Sequence, residues 1–168
     1  SSVLNAYGRH AEEAVNEAID VLKDIFHASS RRDFVFTSGA TEANNLAISG
    51  IVQSYQKIRP HIITSGIEHQ SVLQVCRFWE MQGVECTYLE VNSSGIIDLQ
   101  QLREEIRDNT VLISVMAANN EIGTIQPIAE IGELAHSNHI FFHTDATQYM
   151  YYKIINLQEM PIDMLSFS

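Results

Sequence analysis

The sequence predicts an α/β protein with a mainly parallel sheet flanked by helices. Three observations predict it. Strand-like and helix-like hydrophobic periods alternate along the chain. The run Val111-Leu112-Ile113-Ser114-Val115-Met116 is β-branched and apolar, as expected of a strand covered on both faces. Turn and capping residues stand where one period gives way to the other. The 168 residues, 45% hydrophobic and 18% charged, suit one core of ordinary domain size.

Each element follows in order. Residues 9–27 read as an amphipathic helix, with Ala11, Val15, Ile19 and Leu22 at helical spacing and Glu12, Glu13, Glu17, Asp20 and Asp24 as its solvated face. Phe34-Val35-Phe36-Thr37 reads as a short buried strand, after which Ser38-Gly39 turns the chain into a helix from about Ala40 to Gln56. His61 to Thr64 is the next strand, followed by a helix through Trp79 that Gly83 punctuates. Val84 to Val91 reads as a strand, Asn92-Ser93-Ser94-Gly95 as a turn, and Asp98 as the cap of a helix reaching about Arg107. Val111 to Met116 is the long apolar strand. Pro127 opens a helix to about Ser137, His139 to Phe142 begins a strand ending at His143-Thr144-Asp145, and Ile162 to Phe167 starts one more.

Right-handed crossovers would bring the strand C-termini to one edge, where open α/β sheets bind ligands. Along that edge fall several polar groups. Thr37-Ser38-Gly39-Ala40-Thr41-Glu42 enters a helix whose first amides can cradle a phosphate, although an ordinary capped helix start has the same pattern. Ser65-Gly66-Ile67-Glu68-His69 offers a histidine that could be a base or a ligand-stacking ring, although a satisfied surface imidazole is the commoner reading of such a residue. Asn119-Asn120 supplies amide donors or merely a turn. A carboxylate at a buried strand end, Asp145, needs a partner, and a protonated ring nitrogen would be one.

Composition excludes other classes. A formal charge of −11 argues against nucleic acid or an anionic membrane as the main partner. No apolar run reaches the ~18–20 residues that span a bilayer. Cys76 and Cys86 lie in apolar contexts and read as buried reduced thiols, consistent with a cytoplasmic protein. His136, His139 and His143 are the one histidine cluster, but the last two would lie about 13 Å apart on a strand, so no metal site is expected.

In series, Ser38-Gly39-Ala40-Thr41-Glu42, Glu68-His69, Asn119-Asn120-Glu121-Ile122-Gly123, His143-Thr144-Asp145-Ala146-Thr147-Gln148 and Asp163-Met164-Leu165-Ser166-Phe167-Ser168 resemble the ordered motifs of cysteine desulfurases. These are class V aminotransferases, fold type I enzymes dependent on pyridoxal 5′-phosphate. The resemblance implies the following roles. Gly39, Ala40, Thr41 and Ser168 would hold the cofactor phosphate. His69 would stack on the pyridine ring and assist proton transfer as the catalytic residue. Asn120 would lie near the substrate carboxylate, Asp145 would pair with the pyridinium nitrogen, and Gln148 would bond the phenolic oxygen. It also implies L-cysteine as substrate, a sulfur-acceptor protein of the iron–sulfur scaffold or tRNA-thiolation type, and a homodimer.

The same resemblance implies that residues 1–168 are the central part of the cofactor-binding large domain. The family's Schiff-base lysine would fall three positions after Ser168, and its persulfide cysteine much further on. None of the three lysines, Lys23, Lys57 and Lys153, matches the first, and neither cysteine matches the second. The expected activity is therefore that of a longer parent protein, with the isolated chain inactive. Selenocysteine lyases, other class V aminotransferases and a catalytically dead module are the alternatives. Tyr149-Met150-Tyr151-Tyr152 departs from the small residues and glycine usual after the Gln148 position.

Overall fold

The computed structural model describes residues 6–168 and divides into two units. One unit comprises residues up to Phe36 together with Ile154–Glu159. Its helix α1 (Ala6–Phe26) exposes Glu12, Glu13, Glu17 and Asp24, as its amphipathic pattern predicts. Asp20 instead takes a two-pronged bond from Arg31. A capping box between Ser30 and Asp33 stops the chain in a short 3-10 turn, and Phe34 lies 6.3 Å from Phe26 between ring centres. Leu157 N–H donates to the Phe26 carbonyl at 3.0 Å, tying the returning segment to the helix end.

Residues 34–37 form no strand, contrary to the sequence expectation. Val35 and Phe36 are 70% and 61% exposed. β-propensity marks a segment that fits a pleated surface, and no strand lies beside this one among the described residues.

The second unit, Thr37–Lys153 with Met160–Ser168, carries the sheet. Its elements are α2 (Ala40–Tyr55), β1 (His61–Ser65), α3 (Gln70–Met81), β2 (Glu85–Leu89), α4 (Leu99–Glu105), β3 (Thr110–Ser114), α5 (Ile128–Ser137), β4 (Phe141–Asp145) and β5 (Met164–Ser166). The five strands run in the order β2-β1-β3-β4-β5 with every neighbouring pair parallel. The chain passes from β1 outward to β2 and then back beyond β1 to β3. The β1–β3 crevice is therefore the topological switch point.

Local chemistry sets the boundaries. Asp98 caps α4 by accepting from Gln100 N–H at 2.7 Å. Gly83, at φ +87°, closes α3: Val84 N–H reaches back to the Trp79 carbonyl at 3.0 Å. His139 closes α5 in the same way at φ +59°, with Ile140 N–H on the Ala135 carbonyl at 2.9 Å. That left-handed turn is why β4 begins at Phe141 and not at His139.

The sheet alternates its faces with period two. Ile62 and Leu112 meet Ile48 and Val52 of α2 and Val72, Val75, Cys76 and Trp79 of α3 in one apolar layer. Trp79 Nε1 donates to Ser49 Oγ at 3.0 Å, joining the two helices. On the other face α5 approaches so closely at Gly132 that a side chain there would strike Phe142 and Pro161.

Candidate active site

The helix α2 begins at the C-terminal edge of the sheet. Its first internal bond runs from Ala43 N–H to the Gly39 carbonyl, so the amides of Ala40, Thr41 and Glu42 are first-turn donors that no carbonyl of the helix reaches. Gly39 has φ +151° and ψ 178°, a conformation open essentially to glycine, although a Cβ there would meet nothing within 4 Å. Backbone shape, not space, demands the glycine. Glu42 folds back so that its carboxylate accepts from Ser38 N–H at 2.5 Å, which holds its pKa below the usual carboxylate range. Thr41 is exposed, with its carbonyl taken by Asn45.

At the switch point, the exits of β1 and β3 are stitched together by Glu68 and Asn119. Glu68 Oε1 accepts from Ser65 Oγ at 2.7 Å and from Met116 N–H at 2.9 Å, while Oε2 is buried without a partner. Burial raises the Glu68 carboxyl to about 8 against these two bonds, and the Asp145 charge adds to the rise, so Glu68 keeps its proton at neutral pH. Asn119 donates to the Ile67 carbonyl at 2.9 Å and accepts from the Glu121 and Ile122 amides. The paired asparagines thus divide: Asn119 is buried and builds the loop, and Asn120 is exposed beside it. His69 caps α3, its Nδ1 accepting from Ser71 N–H at 3.2 Å and lying 2.8 Å from Ser71 Oγ.

At the end of β4, Asp145 is 6% exposed. Its Oδ1 accepts from Thr147 N–H at 3.0 Å and its Oδ2 from Asn44 Nδ2 at 2.7 Å. Asn44 lies one helical turn inside α2, so the open amides of that helix begin just past Asp145. Gln148 is half-buried and leads into the turn Tyr149–Tyr151, where Tyr149 is buried and Tyr151 and Tyr152 are exposed. Ser168 lies two residues beyond Ser166, whose carbonyl accepts from Ala146 N–H at 2.8 Å, which puts it on the same edge.

Behind Asp145 runs a polar row. Thr64, Ser114 and His143 occupy matched positions on β1, β3 and β4. His143 bonds Ser114 Oγ through Nδ1 at 2.8 Å and Ser166 Oγ through Nε2 at 3.0 Å. Full burial pushes its pKa down to about 4, partly offset by Asp145, so the ring is neutral. The other two histidines of the sequence cluster lie apart from it: His136 pairs with Asp163 at 3.0 Å, and His139 turns the chain.

The residues singled out in the sequence therefore share one edge. Asn44 and Ser71 lie outside the five motifs, and Glu68 and His143 stand inside two of them without a role assigned by the resemblance. A signal for two of them exists: Asn44, Ile48 and Val52 form one buried stripe of α2, and Ser71, Val75 and Trp79 one of α3. A polar residue at the head of an apolar stripe is buried at the helix end nearest the site.

The family model for aminotransferase class-V matches residues 1–168. The chain belongs to the class-V aminotransferase family. Among curated class-V relatives, cysteine desulfurase IscS of Histophilus somni (strain 2336) is 50% identical over 168 residues, covering 100% of this chain and 41% of its own length. A mitochondrial cysteine desulfurase of Candida maltosa is 49% identical, covering 99% of the chain and 34% of its length. Among solved structures, SspA in complex with cysteine superposes at a TM-score of 0.95 with 42% identity, over 99% of this chain and 48% of that one. DndA from Streptomyces lividans gives 0.90 with 36% identity, over 99% and 46%. The chain thus spans less than half the length of these relatives.

Proposed function

We propose that this chain is the central part of the large domain of a pyridoxal 5′-phosphate-dependent cysteine desulfurase. The parent enzyme takes L-cysteine to L-alanine and passes the sulfur, as a persulfide, to an acceptor protein of iron–sulfur cluster assembly or tRNA thiolation. It works in the cytoplasm as a homodimer. The observation that carries this reading is Asp145: a buried carboxylate at a strand end, held by two neutral donors, one helical turn from a set of open backbone amides. The SspA relative solved with cysteine supports the substrate class.

The residues fit such a cofactor. Open amides at Ala40, Thr41 and Glu42 suit a phosphate. With its two donors filling one side of each oxygen, Asp145 still has lone pairs to accept from a protonated ring nitrogen. When bound, the cofactor supplies an electron sink for the bonds at the substrate α-carbon. Asp145 holds the proton on the ring nitrogen, and proton-bearing Glu68 adds no second charge beside it. His69 offers its ring at the mouth of the switch point and moves protons there. Asn120 orients the substrate carboxylate, Gln148 bonds the phenolic oxygen, and Gly39, Ala40, Thr41 and Ser168 hold the phosphate. A parent of this type would supply the anchoring lysine and the persulfide cysteine from outside these 168 residues.

The test is product analysis in the parent protein. Alanine and sulfide in equal amounts from cysteine are expected under reducing conditions. Transamination of cysteine without sulfide would sink the desulfurase reading while leaving the cofactor site standing.

A further inference from the structure

Asn44 is fully buried and Ser71 is 6% exposed, and both stand between Asp145 and His69. The amide nitrogen of Asn44 donates one hydrogen to Asp145 Oδ2 at 2.7 Å and the other to Ser71 Oγ at 2.9 Å. A carboxylate oxygen only accepts, so the NH2 end must face Asp145. Ser71 Oγ, having accepted from Asn44, has its own hydrogen left for His69 Nδ1 at 2.8 Å. The Ser71 backbone N–H points at the same nitrogen. With two donors on Nδ1, the ring proton of neutral His69 sits on Nε2.

A core role does not explain this amide. Asn44 heads the stripe of Ile48 and Val52, and its Oδ1 is buried with no partner, an arrangement apolar packing alone does not favour. What the amide supplies is two hydrogens from one nitrogen, aimed at two different groups. We propose that Asn44 and Ser71 are positioning residues that couple Asp145 to His69, fixing the direction of the carboxylate and the tautomer of the imidazole that together face the cofactor ring. This rests on the site reading above and deepens it. The two groups that meet the cofactor sit on β4 and at the start of α3, and a single side chain from α2 sets both.

The experiment uses the full-length parent protein with two readouts besides turnover. One is the cofactor dissociation constant, from absorbance titration of the apoprotein. The other is the His69 ring tautomer, from nitrogen NMR of the apoprotein labelled in histidine and assigned with His69→Gln. Asn44→Asp keeps the size but replaces the donor with an acceptor against Asp145. It is expected to weaken cofactor binding by more than about tenfold, with Asn44→Ala in the same direction and less severe. Ser71→Ala is expected to leave the dissociation constant within about threefold, since the Asn44–Asp145 bond survives, but to shift part of the ring proton population toward Nδ1, where only the Ser71 backbone N–H still donates. Ser71→Thr restores the wild-type tautomer. Thermal melting of each apoprotein checks folding, and Asn44→Ala carries the test if Asn44→Asp does not fold. Cofactor binding within about twofold of wild type in a folded Asn44 variant, or an unmoved His69 tautomer in Ser71→Ala, overturns the coupling. Asp145→Asn separates the two readings: if it also binds cofactor normally, the assignment of Asp145 falls too; if it loses the cofactor, only the coupling does.

Discussion

The face of the sheet beneath α2 and α3 changes character within one step of the pleat. Cys86, Ile62, Leu112 and Phe141 form an apolar row across β2, β1, β3 and β4 against the two helices, dry at Ile62 and Leu112 in its centre. Two residues further along the same strands, about 6.6 Å away, stand Thr64, Ser114 and His143, and beyond them Asp145. The first row is held by area removed from water, whereas Ser114, His143 and Asp145 of the second are held by hydrogen bonds whose loss strands a buried partner. Burial at Ile62 and Leu112 and burial at Ser114 and His143 thus have different energetic grounds, and mutations at the two rows should fail differently.

The largest effect is expected in the dry row. Leu112→Asn opens a cavity and buries an amide with no partner, and should cost about 3–5 kcal/mol in urea denaturation of the parent protein. A loss under about 1 kcal/mol would mean the layer is not dry. Next, His143→Leu keeps an apolar ring-sized group but orphans the hydroxyls of Ser114 and Ser166, for about 2–3 kcal/mol at neutral pH.

The pH dependence of that pair has a defined sign. Wild-type His143 is depressed from 6.5 to about 4, so between these values the unfolded chain binds more protons than the native one. Stability is complete above 6.5 and declines as pH falls toward 4. His143→Leu should lose less than wild type over this window, so the two melting curves converge on acidification. Parallel curves would show that the ring is not the titrating group.

Glu68 runs the other way. Its carboxyl is raised from 4.5 to about 8, so the native state holds the extra proton and stability declines as pH rises between these values. Glu68→Gln keeps the two acceptor bonds without the proton. It should resemble wild type near pH 5 and melt higher than wild type near pH 8, a reversal measurable by calorimetry. The smallest effect is expected away from both rows. Arg107→Gln breaks half-exposed pairs with Glu85 and Glu105 and should change stability by less than about 1 kcal/mol.

Much of this was legible in the residue order. Asp98 caps its helix, Gly83 ends another, Asp145 closes β4 and His69 caps α3 just after β1. The strand at Phe34–Thr37 failed because β-propensity says nothing about whether a neighbour exists. The roles of Asn44, Ser71 and Glu68 are not legible because each looks ordinary until its partner, 27, 101 or 48 residues away, is beside it.

By itself the sequence determined the periods, the caps and the kinds of group at each strand end, since these rest on neighbours within a few residues. Only the tertiary structure decided which strands adjoin, where the β1–β3 crevice falls, and which polar groups share hydrogens inside it. Those outcomes depend on burial, and burial is a property of the assembled sheet: it makes Glu68 keep its proton, leaves His143 neutral, and turns a plain asparagine on α2 into the link between Asp145 and Ser71.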